Sequence, residues 1–192
     1  FLVFVIAGDS LYLSVLVAAG VTLLLGLGMP TPSAYILAAV LISPVMYKLG
    51  IDVLPAQLFL FYFAVMSALT PPVAVAAYAA SAIANANPLL IAVTAVKIAV
   101  GAFLVPFAFL FNNALVLQGT AVEIATAFVF AATGLAFIAV ATESFIWRPL
   151  NWFKNIWFFI CGLIMLVPYT PIACVAGICG FALLAYEFKN SN

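Results

Sequence analysis

No histidine occurs anywhere in the 192 residues. That removes the usual general base and most zinc chemistry. Charge is nearly as scarce: five Lys and Arg stand against five Asp and Glu, which is 5% of the chain and a net charge of zero. Soluble domains carry about a quarter charged residues, so this chain is not built for water. With no basic face it has no means of holding nucleic acid. The three cysteines, Cys161, Cys174 and Cys179, lie in apolar runs without metal-ligand spacing. They read as buried thiols, not as a disulfide framework. Closely spaced carboxylates and a Gly-x-Ser-x-Gly turn are missing too, so enzymatic chemistry is not expected.

What fills the chain instead is apolar: 69% hydrophobic residues and a mean hydropathy of +1.39. The apolar runs are long and do not alternate, which predicts helices in a membrane. The expected fold is an all-α, polytopic membrane protein. Phe1 opens the chain inside an apolar run, without the basic flank and cleavage site of a signal peptide. The expectation is a piece of a longer protein whose start lies upstream.

Two stretches interrupt the apolar runs: Gly28-Met29-Pro30-Thr31-Pro32-Ser33-Ala34 and Ala68-Leu69-Thr70-Pro71-Pro72-Val73. Proline inside a helix removes a backbone hydrogen bond and clashes with the preceding turn. In hydrocarbon such a break persists only where protein or a wet cavity covers it. Both breaks also read as helix starts, with Thr31 and Thr70 as N-caps and Pro32 and Pro71 at the first helical position. Helix N-termini attract anions, and carbonyls freed near Gly28 and Leu69 attract cations. The plainer alternative is a pair of proline kinks that only shape packing.

In chain order, residues 1–7 read as the end of an earlier helix, with Asp9 or Ser10 capping the next, Leu11 to Leu27. Ser33 to Tyr47 spans roughly 22 Å against a core of ~30 Å, too short to cross. It forms either the second arm of a re-entrant hairpin over 8–52 or a tilted shorter helix. Pro55 to Leu69 and Val73 to Ala84 are half-helices of one broken helix, about 45 Å long if straight. Asn87-Pro88 starts a further helix, Leu89 to Phe111, with Lys97 inside; its charge reads as snorkelling or internally paired, with a direct substrate role as the alternative. That closes a region 53–118.

The rest, 119–192, holds a spanning helix from Ala121 to Ala141 with Glu123 near a solvated end. An interfacial segment, Thr142 to Asn155, contains Trp147, Arg148, Trp152 and Lys154 and is placed on the cytoplasmic side. Ile156 to Val167 and Ile172 to Phe188, separated by Pro168 to Pro171, are a short hairpin or one kinked span. Ser67 lies three residues before Thr70, so their hydroxyls can share a side of a turn. Each hydroxyl can also be satisfied by its own backbone.

Several spaced segments resemble one family: L-G-M-P-T-P-S-A-Y (27–35), S-P-V (43–45), L-G-I (49–51), A-Q-L-F-L-F-Y-F-A-V-M-S-A-L-T-P-P-V-A-V-A-A-Y-A-A-S-A-I-A (56–84) and F-L-V-P-F-A-F-L-F-N (103–112). The family is the large membrane subunit of tripartite ATP-independent periplasmic (TRAP) transporters, and the type most similar is the fused permease served by TAXI-type binding proteins. The likeness covers about residues 8 to 118, and 119–192 resembles the C-terminal extension of those permeases. It implies the C-terminal half of an inverted-repeat, elevator-type transporter with a re-entrant hairpin and a broken helix. The other half would lie upstream.

The resemblance further implies sodium as coupling ion, held around Gly28, Thr31, Ser33, Ser67, Thr70 and Pro71. Substrate would contact Pro32, Ser33, Pro72 and Val73. The implied cargo is a small organic acid delivered by a periplasmic TAXI-type binding protein across a bacterial inner membrane, with lipid as surroundings and no other cofactor. Gln57 stands where this family suggests His, and Asn113 where Pro is common. The rival readings are a passive channel, disfavoured by the few charges available to line a pore, and a structural membrane-assembly module.

Overall fold

A computed structural model describes residues 10–146, 149–167 and 170–191. Asp9, Trp147, Arg148, Pro168, Tyr169 and the expected helix end at 1–7 lie outside them. Among the described residues the secondary structure is helical, with one isolated bridge between Phe145 and Pro149. The chain divides into two compact units, 1–97 and 98–192.

In the first unit α1 (Leu11–Gly26), α2 (Thr31–Lys48) and α3 (Val53–Met66) pack against one another in all three pairings. Small and aromatic residues alternate in the core they share: Val15, Ala18, Ala38, Ile42, Ala56, Phe59 and Phe63 are buried. The alanines let the helix backbones approach, and the rings fill the space between. Helix α2 starts two residues earlier than the sequence predicts and runs one further, with Pro44 inside it. At 18 residues it is about 27 Å long, close to the hydrocarbon thickness. A single amide ties α2 to α3. Tyr35 Oη donates to Gln57 Oε1 at 2.8 Å, and Gln57 Nε2 donates to Tyr47 Oη. An amide carries both a donor and an acceptor, so Gln57 serves two hydroxyls of one helix. Tyr35 also meets the edge of Phe61, with centroids 5.7 Å apart.

Helices α4 (Val75–Ala84) and α5 (Pro88–Ile98) follow, bent by 116° at Asn85-Ala86-Asn87. Asn85 lies in the left-handed region, and Asn87 Oδ1 accepts the Leu89 N–H at 2.9 Å, as expected for a helix start there. Ala74, Ala77 and Ala92 form the small core between the two. The helix predicted over 89–111 is divided: α5 stops at Ile98, Ala99 turns (φ −83°, ψ 7°), and α6 covers Val100–Phe111. Nothing in the structure explains the turn at Ala99. Lys97 is exposed in the last turn of α5, where a helix C-terminus favours a cation.

The second unit contains α6, a short 3₁₀ turn (Asn113–Val116), α7 (Ala121–Glu143), α8 (Trp152–Met165) and α9 (Thr170–Ser191). Among the described residues α7 is the single unbroken helix that is long and apolar enough to cross a membrane. Its 23 residues reach about 35 Å. Glu123 is exposed near its start, as expected, and also caps it. Thr120 Oγ1 accepts the Glu123 N–H and Glu123 Oε2 accepts the Thr120 N–H at 2.8 Å, a reciprocal cap.

Helices α8 and α9 pack on each other and on α7. Lys154 at the start of α8 pairs with Glu187 near the end of α9, so the two run antiparallel and 156–188 is a hairpin. Phe137 of α7 lies 5.6 Å from Phe158 and 5.3 Å from Phe181, centroid to centroid. Cys161 is buried and Cys179 half-buried, but Cys174 is exposed, which corrects the reading of all three as buried thiols. Cys174 lines an open groove and not the packed core, which is the reason.

Glu187 is 2% exposed and Lys154 31%. Removing one partner of a buried pair costs about 3–5 kcal/mol, less where the remaining or removed group reaches solvent. Lys154→Ala is therefore expected to destabilise by about 1–3 kcal/mol. Thermal melting of Lys154→Ala, Glu187→Ala and the double variant should show strong non-additivity. Additive losses would mean the pair contributes nothing as a pair.

Candidate functional site at two helix breaks

The first break begins where α1 ends at Gly26. Leu27 is extended (φ −61°, ψ 115°), and Gly28 takes φ +76°, a conformation glycine adopts without penalty. Pro30 then holds the N-cap position (φ −58°, ψ 139°), and its carbonyl accepts the Ala34 N–H at 3.1 Å. Thr31 is thus the first helical residue and Pro32 the second, which corrects the reading of Thr31 as N-cap. The fixed φ of Pro30 with an extended ψ already supplies the entry to the helix.

In the second break α3 ends at Met66, and α4 restarts only at Val75. Pro71-Pro72 is a cis peptide, and Ala74 sits in the left-handed region (φ 33°, ψ 58°). Thr70 does not cap α4, contrary to the sequence expectation. Its Oγ1 donates to the Met66 carbonyl at 2.9 Å, a bond back along the chain that withdraws it from the next helix. Ser67 Oγ does the same to the Ala64 carbonyl at 2.7 Å. The Ala76 N–H reaches across the break to the Ala68 carbonyl at 3.1 Å. Among the described residues the carbonyls of Leu69, Pro71, Pro72 and Val73 accept no backbone hydrogen bond.

The two breaks touch. A Cβ added at Gly26 would strike Ser67 Oγ and lie 2.6 Å from Ser67 Cβ, with Ala34 Cβ at 3.5 Å. One added at Gly28 would lie 3.4 Å from Val73 Cγ1. The end of α1 thus lies against the end of α3, and the turn after α1 lies against the turn before α4. Ser67 is buried at this meeting point, and Thr31, Thr70 and Pro71 are half-buried. Gly28, Pro32, Ser33, Pro72 and Val73 are exposed. Of the predicted residues, the contacts join Gly28 to Val73 and bring Ser67 to the tip of α1. They run through Gly26 and Ala34, which sequence reasoning missed. The signal was the Gly26-Leu27-Gly28 spacing, in which the first glycine serves close approach and the second the turn.

The arrangement offers hydroxyl and carbonyl oxygens next to two helix N-termini, with no ionisable side chain in either break. Ser67 and Thr70 commit their protons to backbone carbonyls, which leaves oxygen lone pairs as what they present. Such neutral, hard oxygens suit an alkali cation, and the helix N-termini suit an anionic group.

Apolar helices interrupted at converging, oxygen-rich breaks define the class: an all-α membrane transporter. Residues 1–124 match the family model described as the tripartite ATP-independent periplasmic transporter, DctM component, and the chain belongs to that family. No curated protein and no solved structure matched the chain.

Proposed function

We propose that this chain is the C-terminal part of a sodium-coupled, elevator-type TRAP permease of the fused, TAXI-associated kind. In this reading it takes up small organic acids handed over by a periplasmic binding protein across a bacterial inner membrane. The regions 8–52, 53–118 and 119–192 serve as hairpin, broken helix with its following helix, and extension, and an inverted half precedes them. The observation that carries the reading is the meeting of the two breaks at Gly26–Ser67 and Gly28–Val73.

Sodium would supply a positive charge that makes the paired breaks attractive to a carboxylate. The chain's own residues do the rest. Ser67, Thr70 and the carbonyls around Gly28 and Pro71 offer oxygen, with Thr31 and Ser33 at the first turn of α2. Pro32, Ser33, Pro72 and Val73, on or beside the exposed lip of the breaks, are the surface a substrate meets. The α2 N-terminus orients a carboxylate by its unpaired N–H groups.

A ligand that binds only the folded state raises its stability as concentration rises. The melting temperature of the complete permease should therefore rise with sodium and not with potassium or choline at equal ionic strength. Thr70→Ala removes one oxygen and should shift that response to about tenfold higher sodium, a loss near 1.4 kcal/mol. An identical response in Thr70→Ala, or an equal response to all three salts, would count against coupling at the breaks.

A further inference from the structure

The second unit carries a feature that the transport site does not use. A cavity of about 380 Å³ opens beside the start of α7, lined by Asn112, Gln118, Glu123 and Thr126 on its polar side. Phe130 and Met165 close its floor. Both of these residues also line a second, open groove of about 640 Å³ between α7 and α9, whose other walls include Val129, Thr133, Ile178 and Phe181. A polar chamber and an apolar channel thus share a wall. Ile178 is 69% exposed and Val129 61%, so the channel faces outward. Since α7 is long and apolar enough to cross a membrane, a crossing along its length would put its capped start at the membrane surface and the groove on its flank in hydrocarbon.

We propose that this cavity and groove hold one phospholipid with a primary-ammonium headgroup. The charge pattern selects it. Among the described residues Glu123 is the charged member of the lining, and neither Lys nor Arg is part of it. An anionic headgroup would meet a carboxylate with no cation to offset it, whereas an ammonium gains a charge-assisted hydrogen bond. The phosphate is served by amides. Asn112 Oδ1 accepts the Ala114 N–H at 3.2 Å, which commits its oxygen and leaves its NH₂ as the donor for a ligand, and Gln118 adds a second amide. One acyl chain then follows Phe130 and Met165 into the groove.

The test is native mass spectrometry of the assembled transporter with dioleoyl phosphatidylethanolamine and dioleoyl phosphatidylglycerol, which share acyl chains. The wild type is expected to retain the ethanolamine lipid roughly fivefold over the glycerol lipid, as one exposed ion pair allows. Glu123→Gln keeps a residue competent for the same helix cap and should bring the two lipids to parity. Ala182→Trp, an exposed position in the groove wall, should lower retention of both. Equal retention by the wild type, an unchanged preference in Glu123→Gln, or unchanged retention in Ala182→Trp would each overturn the assignment.

Discussion

Gly26→Ala is expected to produce the largest loss in the first unit. The new methyl would occupy the space of Ser67 Oγ and approach Ser67 Cβ to 2.6 Å. Contacts under 3 Å force side chains off their rotamers or move backbone, at about 1–3 kcal/mol and sometimes more. Here the cost falls on the point where the two breaks meet, so transport should fall further than stability does. Gly20→Ala is the control: nothing lies within 4 Å of its added Cβ, and alanine is the better helix former by roughly 0.5–1 kcal/mol. Ser67→Gly in the Gly26→Ala background removes both clashing atoms and should recover folding without recovering uptake. Melting temperature and uptake, measured on the four proteins, separate packing from function. A Gly26→Ala protein with wild-type stability and uptake would mean that the breaks do not touch as described.

Gly162→Ala should destabilise the second unit by a similar or greater amount. Its Cβ would lie 2.6 Å from the Gly134 carbonyl oxygen and 2.7 Å from Ile138 Cγ1. A Cβ at Gly134 would in turn meet the Gly162 carbonyl at 2.9 Å. Helices α7 and α8 therefore cross backbone to backbone at a pair of glycines, the close approach that small residues permit in membrane helices. Backbone cannot rotate away as a side chain can, so a loss at the upper end of about 1–3 kcal/mol is expected. Gly177→Ala meets only the flexible Met165 side chain, Cε at 3.4 Å and Sδ at 3.8 Å, and should be nearly silent. A melting series of the two variants decides the matter. Equal stability of Gly162→Ala and Gly177→Ala would contradict the glycine crossing.

Much of the helical plan was readable because its signals are local. The clustered prolines 30 and 32, and 71 and 72, cannot sustain a helix ladder, and α1 and α3 end before them, whereas the lone Pro44 is accommodated inside α2. Asn87-Pro88 started α5 as its chemistry requires. Where the reading erred, one local signal had two outlets. A threonine before proline can cap the helix ahead or bond to the helix behind, and Thr70 took the second course. Thr31 lost the cap position because Pro30 already held the entry geometry. Glu123 is the solvated charge the sequence suggests, and its reciprocal bonds with Thr120 add a cap that was not read there. Ala99 carried no signal at all.

Composition and proline placement were enough to establish an all-helical membrane chain with two irregular stretches. Hydrocarbon demands that every backbone group be satisfied internally, and proline violates that demand at known positions. Only the tertiary structure decided that the stretches meet, through Gly26 against Ser67 and Gly28 against Val73, and that 156–188 folds back as a hairpin pinned by Lys154 and Glu187. Contacts between residues some 40 apart leave no trace in helical periodicity, which reports which face of a helix is apolar and not what that face will touch.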